Sequence, residues 1–442
     1  MALSFISTSG HAPPVSFLEA MRTGLAPDGG LYMPSHIPMP KPGFWKDLSR
    51  YPFTEIAYNL AKPWLEGELS ESKLLSVAED AFNFELKLVP LAGNQYVLEL
   101  FHGPTLAFKD FGARFMARLF SEIADREEKT VNILVATSGD TGSAVAHGFY
   151  KVPGVKVFLL YPKGKVSRLQ EMQMATLGEN VTTLEVDGVF DDCQALVKQA
   201  FTDSGLQSSM QLSSANSINV ARLLPQSFYY GWAAGQLMKE GVEPPVFCVP
   251  SGNFGNLTGG LLAERMGLPV HRFIAATNRN AVVPVFLNGG EYRPAPSVQT
   301  LSNAMDVGNP SNFVRIRHLF GMDDHEIRKQ IRGYSYSDAQ TRSAMETLFR
   351  QQNYLACPHT AVGLRAAAEY QKEEQNGHPV VTLATAHPVK FRDVIEPVTG
   401  KEIPVPERLQ QWLNREKKSI PIRNSYSDFS ELLHESRERN EV

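Results

Sequence analysis

Cysteine is scarce. The only three, Cys193, Cys248 and Cys357, stand far apart and beside apolar residues, a pattern that excludes a disulfide framework or a spaced metal cluster and predicts buried free thiols in a reducing compartment. An excess of charge of either sign is missing as well. The 43 Lys+Arg nearly balance 47 Asp+Glu, for a formal net charge of −4, so nothing draws the chain toward nucleic acid or an anionic membrane, and any anion has to be held locally. No apolar run approaches the ~20 residues of a membrane span, and Met1–His11 lack the basic and long apolar regions of a secretory leader. These absences predict a soluble cytoplasmic protein. Internal repeats, low-complexity blocks and coiled-coil heptads are absent too.

What is present is a globular chain, 43% hydrophobic over 442 residues, too long for one ordinary core and sized for two or three domains. After the turn cluster Ala26–Gly30 and a Pro-rich stretch, two helical segments end near Phe84. Residues 86–100 read as two short strands flanking the turn at Gly93-Asn94. Val131–Ala136 is a continuous apolar run bounded by turn signals, as in a strand buried on both faces. Strands at 155–161 and 181–186 then alternate with helices at 143–150, 167–177 and 191–201. One long helix is expected over 219–240. Buried strands follow at 245–250, 273–276 and 380–384, with helices at 324–332, 338–352 and 361–374 and a polar, charged tail closing in a surface helix. Such alternation predicts an α/β fold with an open, largely parallel sheet and helices on both faces.

Chemistry concentrates at His102–Phe115, where Lys109 stands just before an amphipathic helix marked by Phe111, Phe115, Leu119 and Ile123. Leu106, Phe108 and Phe111 desolvate its ammonium, and the positive end of a helix disfavours it further, so the free amine that a carbonyl cofactor needs is favoured. A lysine that snorkels to water would fit the same surface. The strand–glycine loop–helix at 246–260, Ser251-Gly252-Asn253-Phe254-Gly255-Asn256 at its turn, is a phosphate cradle by its physics; it matches neither the P-loop nor the dinucleotide spacing, and a ligand-free βα turn has the same pattern. Thr137-Ser138-Gly139-Asp140-Thr141 sets hydroxyls and backbone donors at a strand end, which suits a carboxylate, although Ser138 or Asp140 could instead cap the next helix. Thr385 ends the last buried strand, where a threonine is often structural. His387 could move protons or simply pack.

The segment His-Gly-Pro-Thr-Leu-Ala-Phe-Lys-Asp-Phe-Gly resembles the lysine segment of the threonine synthases, pyridoxal-phosphate enzymes of the tryptophan-synthase-β structural group. Similarity continues through 16–34, 251–256, 383–388, 214–222 and 303–312, in consistent order from about residue 16 to 391. The resemblance implies a fold type II architecture: two mostly parallel sheets and a small N-terminal domain, divided as 1–85, 86–225 carrying Lys109 and the Ser138–Thr141 loop, and 226–442 carrying the glycine loop and Thr385. It implies pyridoxal 5'-phosphate held as a Schiff base by Lys109, its phosphate surrounded by Gly252, Asn253, Phe254, Gly255 and Asn256, its pyridine nitrogen met by Thr385 and its ring hydroxyl approached by Asp140, where related enzymes carry asparagine. The loop of Thr137, Ser138 and Thr141 would take the substrate carboxylate. A substrate with its own phosphate needs a second anion site, for which Lys163, Ser217, Asn219 and Arg222 are candidates. The implied partner is a small molecule, O-phospho-L-homoserine, which reacts with water to give L-threonine and phosphate; the oligomeric state, monomer or dimer, is left open. A serine or threonine dehydratase-like lyase would share Lys109 and the glycine loop without the second phosphate site, and a silent homologue would act only as a binding protein.

Overall fold

The computed structural model describes residues 3–124, 130–137 and 139–438. The apolar runs become strands of two sheets. An N-terminal ribbon pairs β1 (Phe5–Ser7) antiparallel with β2 (Tyr32–Pro34). A hairpin of β3 (Lys87–Leu91) and β4 (Gln95–Glu99) turns at Gly93 and Asn94, both at positive φ. Next come β5 (Val131–Ala136), β6 (Val155–Pro162), β7 (Val181–Asp187) and β8 (Gln211–Ser214), then β9 (Val246–Pro250), β10 (Arg272–Thr277), β11 (Ile331–Ser335), β12 (Val380–Ala384) and β13 (Ile420–Arg423). The five-stranded sheet has the order β13-β7-β6-β5-β8 and is wholly parallel. The six-stranded sheet, β11-β10-β9-β12-β4-β3, is parallel apart from its edge hairpin.

Sheet membership does not follow the order of the chain. Residues 87–99 were expected beside the Lys109 segment, yet β4 pairs with β12 from Val380 to Ala384 and so belongs to the six-stranded sheet. The C-terminal β13 returns to edge the five-stranded sheet through β7. The division between 86–225 and 226–442 therefore cuts across both sheets. Besides the short N-terminal ribbon β1–β2, three strands of the two larger sheets had no forecast: β8, β11 and β13 are short edge strands with mixed composition, for which periodicity gives no signal. The helix expected over 219–240 is broken into Val220–Leu223, a 3₁₀ turn Leu224–Ser227 and Phe228–Lys239, because Pro225 has no N–H to continue the ladder. The three cysteines are buried and free. Among the described residues no helix is long and apolar enough to cross a membrane.

The Lys109 helix, Lys109–Ala124, is the seam between the N-terminal region and the rest. Phe111 and Phe115 pack with Phe53, Phe82 and Phe228 at ring separations of 5.6 to 5.9 Å, and Arg114 donates to the Ala81 carbonyl at 2.7 Å. Fully buried Arg315 makes a second tie, donating to the Tyr32, Ile218 and Ser217 carbonyls and to Asn312 Oδ1.

Candidate active site

The C-terminal ends of parallel strands from both sheets carry the site, as expected for ligand binding in open α/β sheets. Lys109 opens its helix, and the backbone before it is fastened to the end of β12: Phe108 N donates to Thr385 O at 2.9 Å and His387 N to Leu106 O at 3.1 Å. Leu106 itself sits at φ +59, a left-handed conformation that is costly for a bulky residue and that the surrounding bonds enforce. Asp110 reaches back to accept from Thr105 N and Oγ1 at 2.9 and 2.7 Å, closing the turn before the helix. Burial raises the pKa of that carboxyl.

Lys109 Nζ donates to Thr141 Oγ1 at 2.7 Å. Although the side chain keeps some exposed surface, burial of its ammonium dominates and brings the pKa down to about 8; Asp140 opposes that fall, and Arg222 and Lys390 assist it. Asp140 starts the helix Asp140–Phe149, three residues earlier than expected. Thr137 does the capping there, its Oγ1 accepting from Gly139 N and Gly142 N. Buried Asp140 Oδ1 pairs with Lys390 Nζ at 2.6 Å and accepts from Gln170 Nε2 at 2.8 Å. Burial alone would raise the pKa of Asp140, but Lys390 and then Lys109 outweigh it and hold it near 2. Ser138 lies outside the described residues.

Across the cleft, Phe254 takes a left-handed conformation at φ 60 directly before the helix Gly255–Arg265. Like Leu106, it is a buried apolar side chain held in that region, whereas the other non-glycine positions of positive φ serve turns and helix ends. The N–H groups of Asn253, Phe254, Gly255 and Asn256 have no acceptor among the described residues, so four donors are left at the positive end of a helix. Around Gly255, a built Cβ would lie 3.5 Å from Asn312 Nδ2, 3.6 Å from Gln226 Nε2 and 3.8 Å from Ser217 Cβ. At Gly252 the same atom would be 2.5 Å from the Ala304 carbonyl, so this glycine allows two loops to touch.

The remaining candidates divide. Thr385 is buried, and its hydroxyl has no partner among the described residues. Arg222 is buried with Nε unpartnered, lying against Gly112 one helical turn from Lys109; burial lowers its pKa to about 10. Lys163 is exposed just beyond the end of β6. Ser217 stands beside Gly255. Asn219 is spent on structure: its amide donates to Met21 O and Ser214 O and its Oδ1 caps Ala221 N. Asn256 is spent likewise on Ser251, Leu257 and Pro250, and Asn253 Oδ1 accepts from Ser311. His387 packs edge-on against Phe101 and accepts from Val389 N. Lys390 and Gln170 escaped the sequence reading. The one available signal was a lysine among apolar neighbours in Pro388-Val389-Lys390-Phe391, the same cue that singled out Lys109.

A lysine with a depressed pKa, unfilled amide donors at a helix start and an unpartnered hydroxyl on a buried threonine fit pyridoxal phosphate on their own chemistry. The family described as "Pyridoxal-phosphate dependent enzyme" matches residues 89–386. Fold and site thus define a pyridoxal-phosphate-dependent α/β enzyme. Models described as the threonine synthase N terminus and C-terminal region match residues 4–82 and 360–432. The chain is 45% identical to the threonine synthase of Serratia marcescens over 399 residues, 90% of this chain and 91% of that one. It superposes on the crystal structure of threonine synthase from Escherichia coli with a TM-score of 0.89 at 40% identity, covering 98% of this chain and 100% of that one. The PLP-bound threonine synthase from Brucella melitensis gives 0.92 at 34% identity, with 98% and 99% covered. The chain belongs to the threonine synthase family.

Proposed function

We propose that this enzyme converts O-phospho-L-homoserine and water to L-threonine and phosphate, with Lys109 as the residue that carries the cofactor and moves protons. The observation behind the proposal is the placement of Lys109: a depressed amine at a helix start, with the unfilled donors of the glycine loop across the cleft. Bound pyridoxal phosphate supplies an electron sink for negative charge beside the substrate nitrogen. The N–H groups of 253–256 would hold its phosphate, and the Thr385 hydroxyl its ring nitrogen. A hydroxyl at that place cannot enforce a positive ring as a carboxylate would.

Thr141 Oγ1 keeps the Lys109 amine aimed at the cleft. With a pKa near 8 that amine is matched to taking the proton from Cα, carrying the proton lost from Cβ to Cγ, and returning a proton to Cα at the end. The C–O bond at Cγ breaks as phosphate leaves, and a C–O bond forms at Cβ as water adds. Thr141 and the start of the helix Asp140–Phe149 present a positive helix end to the substrate carboxylate. For the leaving phosphate, Arg222 with its buried, unpartnered Nε and the exposed Lys163 beyond β6 would be the cations at hand, while Asn219 keeps a structural role.

Phosphate release from O-phospho-L-homoserine is the direct test. Arg222→Ala should lower kcat/KM for that substrate by about tenfold or more, the worth of one charge-assisted hydrogen bond, while the cofactor's absorption is retained. Efficient deamination of serine or threonine with indifference to phosphohomoserine would overturn the reading.

A further inference from the structure

Lys390 is the charged group closest to the chemistry to which no role has yet been given. Its side chain is wholly buried, on the 3₁₀ turn that follows β12. Nζ is fixed by two acceptors, Asp140 Oδ1 at 2.6 Å and the Thr105 carbonyl at 2.8 Å. Both belong to the machinery around Lys109: Thr105 ends the loop that Asp110 closes, and Asp140 precedes Thr141, which accepts from Lys109. Lys109 therefore faces Asp140 from one helix, Arg222 from a second, His359 from the helix Pro358–Glu374 and Lys390 from the turn. His359 is buried, its Nε2 accepts from Ala304 N, and burial lowers its pKa to about 4, so it stays neutral. Asp140 is the one carboxylate among these neighbours.

A buried carboxylate that loses its partner recruits a proton or the nearest cation. Here the nearest alternative is Lys109, which would have to be protonated to serve, and a protonated lysine cannot attack a carbonyl. Resting on the reading of Lys109 as the cofactor-carrying residue, we propose that Lys390 is a positioning residue whose ammonium, locked between Asp140 and the Thr105 carbonyl, occupies the carboxylate and leaves the Lys109 amine free to act as nucleophile and base. Gln170 steadies the same carboxylate oxygen from the other side.

The test follows recapture of pyridoxal phosphate by the full-length enzyme after its cofactor has been removed, as the rate of appearance of the bound chromophore across pH. In the wild type this rate should rise with pH to a midpoint near the Lys109 value of about 8. Lys390→Met should move the midpoint up by about one unit or more, the usual effect of an unpaired neighbouring carboxylate, making recapture about tenfold slower at neutral pH. Lys390→Arg keeps the charge and should retain the wild-type midpoint. The double variant Asp140→Asn/Lys390→Met removes both charges and should bring the midpoint back. It also serves if Lys390→Met fails to fold, since it leaves no unpaired charge inside. An unmoved midpoint in Lys390→Met, or a raised one in the double variant, overturns the proposal. Borohydride labelling separates this from failure of the underlying reading: a label retained in Lys109→Ala would mean that another lysine carries the cofactor.

Discussion

The two walls of the cleft solve the binding of one anionic cofactor by opposite means. On one side Lys109, Asp140 and Arg222, met by Lys390 from the turn after β12, form a cluster of buried charges, the first three perturbed by burial or by their neighbours. On the other side the loop 251–256 has no ionisable side chain at all: it offers backbone N–H groups, and its two asparagine side chains are occupied in holding the loop. Dipoles fixed by a helix start do not titrate, whereas paired charges do. The sensitivity of this site to pH should therefore come from the lysine wall, and its tolerance for shape from the glycine wall.

The largest effect should come from Lys109→Ala. Turnover should fall by about 10³-fold or more, the scale of a lost acid–base group, and borohydride should no longer fix a pyridoxyl label to the peptide containing residue 109. Pyridoxal phosphate should still bind reversibly, because the loop 252–256 is untouched; loss of all binding would show that the two walls do not act separately. Asp140→Ala comes next. It strands Lys390 inside the protein, and removal of one partner of a buried pair costs about 3–5 kcal/mol, readable as a lower denaturant midpoint with unchanged slope.

Acidification sharpens the comparison without mutation. Burial depresses His147, His359 and His387 to about 4 from 6.5, so the unfolded chain binds more protons on these groups between those values. Their contribution to stability falls as pH drops from about 6.5 to 4, by about 3 kcal/mol each; Glu264 and Asp306, raised by burial to about 7 and about 6, take up protons first in the folded state and offset part of that loss. Asp140, near 2 against an ordinary 3.8, adds a loss only below that window. Lys109 acts from the other end: its folded value of about 8 lies below the unfolded 10.5, so stability contributed by this residue rises between pH 8 and 10.5. Denaturation followed against pH checks both slopes, and a stability that rises from pH 6.5 to 4 would contradict the burial of the histidines.

The smallest effects belong to the glycine wall. Gly252→Ala drives a Cβ to 2.5 Å from the Ala304 carbonyl and should cost about 1–3 kcal/mol of stability. Gly255→Ala meets only ordinary contacts of 3.5 to 3.8 Å, so it should leave stability within about 1 kcal/mol and show itself as weaker cofactor affinity. Equal affinities in wild type and Gly255→Ala would place the phosphate elsewhere.

The legible parts of the molecule were those with local cause. Lys109 declared itself through apolar neighbours and a helix start, and β5, β9 and β12 through apolar runs that need cover on both faces. The partners of those residues were not legible, because they arrive from distant segments: Lys390 and Gln170 on Asp140, Arg315 on Tyr32 and Ser217, Asn312 beside Gly255. Asn219 shows the converse. Its setting in a donor-rich loop suggested a ligand, but an asparagine that caps a helix and one that binds an anion look alike in sequence. Edge strands β8, β11 and β13 fall in the same class, since a neighbour supplies the reason for their pairing.

The bond from Phe108 to Thr385 and the pairing of β4 with β12 join the first quarter of the chain to its last fifth. During synthesis, then, the lysine segment leaves the ribosome long before the strand that fixes it, and β4 waits at an unfinished sheet edge with its apolar face uncovered. Such long-range closure is slow and exposes intermediates to aggregation. The nascent enzyme cannot capture its cofactor early; holoenzyme formation is a late event, and the supply of cofactor at release then stabilises the finished fold by mass action.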